Sequence, residues 1–263
     1  MELGLKGAKV LVTASSDGLG AATARQFSLE GAIVVINSRN LEKLQNTASE
    51  ISAESGNPVF TQAGDISDPE IAKRVVTRAY ESLHGLDILV TNAGGPPSGS
   101  FNDFDLSDWQ SATNLTFLST VNLIQSALPH LRKSKRASIL TVTSISVKEP
   151  VDNLILSNAI RPAVMGLTKS LSRELGPEGI RVNSILPGMT DTERIRYLFE
   201  ARAEKNNTSV EEEENNASAN IPLRRIGTPQ EFANAAVFLC SPAAGYITGV
   251  ALPVDGGVIR ATL

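Results

Sequence analysis

Short apolar, β-rich runs recur along the chain with helix-length amphipathic segments between them. The runs are Lys9-Val10-Leu11-Val12-Thr13, Ile33-Val34-Val35-Ile36, Val59-Phe60-Thr61, Asp87-Ile88-Leu89-Val90-Thr91, Ser138-Ile139-Leu140-Thr141-Val142, Ile180 to Ile185, and Val250-Ala251-Leu252-Pro253-Val254. Seven strands alternating with helices predict a parallel sheet covered on both faces, because a parallel crossover needs a helix-sized connection. Ligands on such sheets sit at the C-terminal ends of the strands. Two helices carry readable ends. One runs from Leu41 to Glu54 and stops at Gly56; another starts at the cap Asp68, with Pro69 in its first turn, and runs to His84.

One stretch breaks the alternation. From Lys205 to Asn220 the chain runs through Asn, Ser, Thr and four consecutive glutamates, with Val210 its largest apolar residue. It is expected to be mobile, because it offers little surface to bury against the entropy of ordering. A lid at about 190–222 over the strand ends and a solvated surface excursion fit it equally.

Composition narrows the function classes. At 263 residues and 41% hydrophobic content the chain buries a large core, and a single unit over 1–263 accommodates all seven strands. The 24 basic and 28 acidic residues give a formal charge of −4 with no dense basic stripe, which argues against nucleic acid. No secretory pattern opens the sequence at Met1-Glu2-Leu3-Gly4-Leu5-Lys6, and no run of about 18 apolar residues predicts a membrane span. The lone Cys240 has no disulfide partner and reads as a small buried residue of a helix, so a cytoplasmic setting is expected. In that setting the Asn-x-Ser/Thr triplets at Asn114, Asn206 and Asn216 are chance matches. No metal-ligand spacing is present.

After the first strand comes Thr13-Ala14-Ser15-Ser16-Asp17-Gly18-Leu19-Gly20, then the helix former Ala21-Ala22-Thr23-Ala24. A small-residue turn leading into a helix N-terminus presents free N–H groups to a pyrophosphate, though any tight strand-to-helix turn looks much the same. Further along stand Asp65, Asn92-Ala93-Gly94, Asn114, Ser144, Pro187-Gly188-x-x-x-Thr192 and Ile247-Thr248-Gly249-x-x-x-Pro253-Val254-Asp255-Gly256-Gly257. In order and spacing this set resembles the short-chain dehydrogenase/reductase family, with an overall pattern similar to its 3-oxoacyl-[acyl-carrier-protein] reductases. Ala14 departs from the family's Thr-Gly-x-x-x-Gly-x-Gly.

The resemblance implies a Rossmann-type, doubly wound α/β fold and a nicotinamide dinucleotide as cofactor. Thr13, Ser15, Ser16, Asp17, Gly18, Leu19 and Gly20 would form the cofactor turn. Asp65 and Ile66 would flank the adenine, Asn92, Ala93 and Gly94 the wall behind it, and Pro187, Gly188 and Thr190 the nicotinamide end. Asn92 to Gly94 read equally as residues that hold the sheet and loop together. After the second strand, Asn37-Ser38-Arg39 carries no carboxylate for ribose hydroxyls, and Arg39 can pair with a 2'-phosphate. Ser38 and Arg39 therefore favour NADP(H). Asp17 pulls toward NAD(H), because its charge would repel that phosphate.

The family's catalytic set is a serine, a tyrosine thirteen residues on, a lysine four beyond that, and an asparagine in the preceding helix. Ser144 and Asn114 match; counting from Ser144 reaches Ser157 and then Arg161. Serine is far less acidic than tyrosine and shorter, while arginine keeps the charge in a fixed planar fork. Arg161 thus retains the cofactor-holding half of the lysine's task. Tyr197 and Lys148 are the candidate substitute proton donors. His84 and His130 read as surface residues.

The expected activity is hydride transfer between nicotinamide and a small carbonyl or alcohol substrate. The alternative is a dinucleotide-binding protein without turnover, a sensor or an assembly subunit. Family likeness also implies a homotetramer or homodimer through the helix from Leu106 to Leu131 and the one from Ser157 to Leu175.

Overall fold

Central strands such as Val10-Leu11-Val12 and Ile88-Leu89-Val90 have no polar face to turn outward, so both sides of the sheet they form must be covered. The computed structural model describes residues 2–262, apart from the side chain of Ala201. Met1 and Leu263, the ends of the expected 1–263 unit, lie outside the described residues. The strands are β1 (Lys9–Val12), β2 (Ile33–Ser38), β3 (Val59–Ala63), β4 (Ile88–Thr91), β5 (Ser138–Val142), β6 (Arg181–Pro187) and β7 (Ala251–Val254). They form one sheet in the order β3-β2-β1-β4-β5-β6-β7, parallel throughout. The order reverses between β1 and β4, and ligands of such sheets bind at that crevice.

The helices are α1 (Gly18–Leu29), α2 (Leu41–Ser55), α3 (Pro69–Leu83), α4 (Leu106–Thr113), α5 (Ser119–Leu131), α6 (Ile155–Glu174), α7 (Glu193–Asn206), α8 (Val210–Ala219) and α9 (Pro229–Cys240). Alternation along β1 divides the core. Val10 and Val12 join Phe27, Leu44, Ile51, Phe232 and Val237 on one face, while Leu11 joins Val75, Val76, Leu123 and Ile124 on the other. The foreseen helix ends are present: Asp68 caps α3, and Gly56 and His84 close α2 and α3 in left-handed geometry; Asn40 also caps α2. Among the described residues no helix is long and apolar enough to cross a membrane.

Three places add to the expectations. The stretch Lys205 to Asn220, read as a mobile lid or a solvated excursion, is helical and holds the end of α7 and the whole of α8. Ser209 and Glu212 form a reciprocal capping box, and Glu211, Glu212 and Glu213 sit in the first turn, where the helix dipole favours acids. Glu213 is buried and accepts from Asn206 Nδ2 at 3.0 Å and Thr208 Oγ1 at 2.7 Å, which ties the two helices together. The expected helix from Leu106 to Leu131 is interrupted by a π turn over Asn114–Leu118. His130 is not a plain surface residue: its ring stacks on Tyr80 with centroids 3.9 Å apart, and burial lowers its pKa. Cys240 is buried as expected, and burial pushes its thiol up to about 12.

The hydrogen bonds from Asn206 and Thr208 hold the Glu213 carboxyl below its usual value. A depressed folded-state value adds stability above the unfolded pKa, and that stability is lost as pH falls through the folded one. Glu213→Gln should therefore speed limited proteolysis at residues 206–210 at neutral pH. The difference from the unaltered protein should shrink as the pH is lowered below the range in which the carboxylate is charged.

Candidate active site

The turn after β1 is shaped by what it must avoid. A Cβ on Gly20 would lie 2.8 Å from the Ser15 Cα and 2.9 Å from Asn92 Nδ2, so only glycine lets α1 start this close to the strand ends. Thr13 Oγ1 donates to the Asn92 carbonyl at 2.7 Å and accepts from the Asn92 N–H at 2.9 Å, while Asn92 Nδ2 donates to the Ala14 carbonyl at 3.0 Å. These bonds join the ends of β1 and β4 across the crevice. The Asn92 side chain is therefore committed to the frame. Ser15 is equally committed: its hydroxyl donates to Val12 and accepts from the Asn37 N–H. Ala14 has φ +46°, the left-handed geometry in which the family pattern carries glycine.

The turn fits a pyrophosphate. Asp17 caps α1 and accepts from the Gly18 N–H, while the N–H groups of Leu19 and Gly20 find no acceptor among the described residues. Space beside Gly94 is open, since a Cβ there meets nothing within 4 Å. Lys43 Nζ on α2 donates at 2.8 Å both to Asp17 and to Glu193 at the start of α7. Burial would raise the Asp17 carboxyl, but the hydrogen bonds, chiefly from Lys43, outweigh it and hold the carboxyl below its usual value. Asp17 thus carries a neutralised charge, which weakens its expected repulsion of a phosphate. The first turn of α7 is drawn across the crevice by the same lysine.

Farther out, Arg39 is exposed and its guanidinium lies 3.8 Å from Asp65, a loose surface pair that leaves it free to meet another anion. Ser38 Oγ donates to the Asn40 carbonyl, and Asp65 accepts from the Ser67 N–H and hydroxyl. Ile66 is buried in the core. Ser16 is half-buried and its carbonyl accepts from Thr47. Pro187 ends β6, Gly188 packs against Asp255, and Thr190 is buried beside Gly227.

At the end of β5, Ser144 Oγ accepts from the Ser146 N–H and caps the short helical turn Ile145–Val147. Ser146 and Ser157 place their hydroxyls 3.3 Å apart, and Arg161 Nε donates to Ser157 Oγ at 3.0 Å. Arg161 Nη1 donates to the Thr143 carbonyl at 2.9 Å. Burial, and then the charge of Arg194, lower its pKa to about 10. Asn114 opens the π turn, and its amide oxygen accepts from Gln110 Nε2. Such turns often mark functional sites.

The profile of the family described as enoyl-(acyl carrier protein) reductase matches residues 13–259. Dehydrogenase/reductase SDR family member 4 of Sus scrofa is 34% identical over 248 residues, covering 94% of this chain and 85% of its own length. This chain belongs to the short-chain dehydrogenase/reductase family. A 3-oxoacyl-[acyl-carrier-protein] reductase of Aquifex aeolicus (strain VF5) is 30% identical, over 98% of this chain and 100% of its own. Among solved structures, L-sorbose reductase from Gluconobacter frateurii, complexed with NADPH and L-sorbose, superposes with a TM-score of 0.95. It is 30% identical, over 99% of this chain and 100% of its own. An NADPH-bound short-chain oxidoreductase from Pseudomonas aeruginosa PAO1, described as containing an atypical catalytic center, gives a TM-score of 0.89. Its identity is 30%, over 98% of this chain and 99% of its own.

Within this short-chain dehydrogenase/reductase, neither expected substitute donor makes a side-chain hydrogen bond to Ser144. The Tyr197 side chain is 69% exposed on α7, and Lys148 is half-buried with no side-chain hydrogen bond among the described residues. Sequence reasoning missed Lys43, Ser146, Glu193 and Arg194. A lysine on an amphipathic helix or a serine in a turn carries no signal, and only the fold brings these residues to the crevice.

Ala14→Gly should remove left-handed strain of roughly 1–2 kcal/mol, partly offset by about 0.4–1 kcal/mol of added unfolded-state entropy. A small rise in the denaturant midpoint is expected. A fall of more than about 1 kcal/mol would show that the alanine methyl is needed for packing.

Proposed function

We propose that this protein is an NADP(H)-dependent reductase that interconverts a carbonyl and an alcohol, with Ser157 and Arg161 standing where relatives carry tyrosine and lysine. One observation carries it: beside Ser144 the hydroxyls of Ser146 and Ser157 and the guanidinium of Arg161 form a hydrogen-bonded chain that no tyrosine joins among the described residues. The bound nicotinamide would supply the hydride, and the product alcohol takes its proton from solvent through the Ser146 and Ser157 hydroxyls. Ser144 Oγ already accepts from a backbone N–H, which leaves its own proton to donate to the substrate oxygen. Ser157 accepts from Arg161, so its proton points toward Ser146 or toward that same oxygen. Arg161, at about 10, stays charged at neutral pH; its task is to stabilise developing negative charge rather than to exchange a proton. Asn114 lies at the break in the preceding helix, as in the family's pattern.

For the cofactor, Leu19 and Gly20 offer N–H groups to the pyrophosphate and Arg39 a cation to the 2'-phosphate. The NADPH complexes of the sorbose reductase and the Pseudomonas oxidoreductase support the same preference. A homotetramer or homodimer fits the exposed Leu106 and Leu118 on the α4–α5 face. The bonds from Lys43 to both Asp17 and Glu193 support a lid role for α7 and α8. The second reading, binding without turnover, is favoured by the bonds that commit Arg161 Nη1 to the Thr143 and Val142 carbonyls.

Fluorescence titration should show NADPH binding more tightly than NADH, and Arg39→Ala should weaken NADPH by roughly tenfold, as expected for loss of a charge-assisted contact. Equal affinities that survive the substitution would overturn the NADP(H) assignment. Ser157→Tyr with Arg161→Lys should raise carbonyl reduction by about 10²–10⁴-fold if only the proton donor is missing. No gain, with folding and NADPH binding intact, would favour the non-catalytic reading when the unaltered protein is also silent across a carbonyl screen.

A further inference from the structure

One buried and one half-buried arginine have no carboxylate partner among the described residues, and they are satisfied very differently. Arg181 directs its guanidinium to four backbone carbonyls, those of Leu239, Cys240, Ser241 and Ile247, at 2.6, 2.8, 3.0 and 3.3 Å. That is how a structural arginine looks here. Arg161 is only 8% exposed, yet it makes bonds from Nε and Nη1 alone, and Nη2 has no partner among the described residues. Nη2 is not among the buried atoms that lack a partner, so it reaches solvent and is open to a ligand.

Arg194 borders the same place. Its Nη2 donates to the Pro96 carbonyl at 3.1 Å, and its guanidinium lies so close over Gly95 that a Cβ there would overlap it. The acids nearest to it in sequence are already claimed: Asp191 by a two-pronged pair with Arg196, Glu193 by Lys43. Glu149, on the loop after Ser144, accepts from the Arg260 and Ala261 N–H groups. Residues 95 and 96 follow β4, Thr143 follows β5, and these strands are paired at Thr91 and Thr141. The two guanidinium groups therefore stand at the ends of adjacent strands, Arg194 at the loop after β4 and Arg161 beside Ser157 and the end of β5.

We propose that Arg161 and Arg194 form a receptor for an anionic group of the substrate, so that the carbonyl compound handled here carries a carboxylate close to its carbonyl. The proposal rests on the reductase reading above. Planar guanidinium forks match carboxylate geometry, and an ammonium in either place would not. Cofactor phosphates are provided for elsewhere, by the N-terminus of α1 beside β1 and by Arg39 beyond β2. Arg161 lies past the switch point at β5, beside the hydroxyls that would hold the substrate oxygen. The mutual repulsion of the two cations, part of what lowers Arg161, is relieved by a bound anion.

The test is calorimetric titration of the full-length protein loaded with NADP+, which cannot reduce the ligand. The probes are a panel of straight-chain 2-oxo acids from pyruvate upward, each paired with its methyl ester. At least one acid should bind about tenfold or more tightly than its ester, and Arg194→Gln should bring the pair within about threefold while NADP+ affinity stays unchanged. Equal binding of acid and ester across the panel would overturn the proposal. So would an Arg194→Gln protein that keeps the preference but loses NADP+ affinity, since the arginine would then serve the cofactor. If NADP+ itself fails to bind, the reductase reading falls, and the same pairs titrated into the cofactor-free protein still decide the anion site.

Discussion

Everything at the crevice depends on the hydrogen bonds that join the ends of β1 and β4. The two strands are neighbours in the sheet but are 75 or more residues apart in sequence, and their connections leave toward opposite sides. Thr13 and Asn92 exchange bonds through the Thr13 hydroxyl, and the Asn92 amide reaches on to Ala14. Without that tie the α1 N-terminus would have no fixed height above the sheet, and its free N–H groups no fixed aim. The close approach at Gly20 and the left-handed backbone at Ala14 are local costs of holding the turn there.

Much of this was legible beforehand because it follows from local rules. Strands buried on both faces read as unbroken apolar runs, and the cap Asp68 and the stop Gly56 mark helix ends by chemistry alone. The family pattern, spread over nearly the whole chain, placed Thr13 to Gly20, Asn92 and Ser144 on the correct loops. Composition misled at Lys205 to Asn220. A glutamate-rich stretch looks unable to pay for order, but the capping box at Ser209 and the bridging Glu213 are specific pairings that composition averages away. Likewise Asp17 read as a bare charge because its partner Lys43 lies 26 residues on, on another helix.

On the proposed reading, a hydroxyl and a guanidinium stand where relatives carry a phenol and an ammonium, and that changes the kind of site that is built. A tyrosine delivers a proton with a pKa that a neighbouring cation can tune; Ser157 and Arg161 instead provide directed dipoles and an unchanging charge. Such a site is suited to holding charge in place. It asks less of acid–base exchange at the protein and more of electrostatic fit.

Cys240 adds a practical property to the molecule. It is the sole thiol of the chain, lies at the end of α9 against the sheet, and is 1% exposed with its ionisation pushed up to about 12. Thiolate, not thiol, reacts with labelling reagents, so in the closed fold the sulfur is shielded twice, by burial and by protonation. Modification must await an opening that lifts α9 from the core. The pace of labelling is therefore an internal clock for that opening, read without adding any probe to the protein.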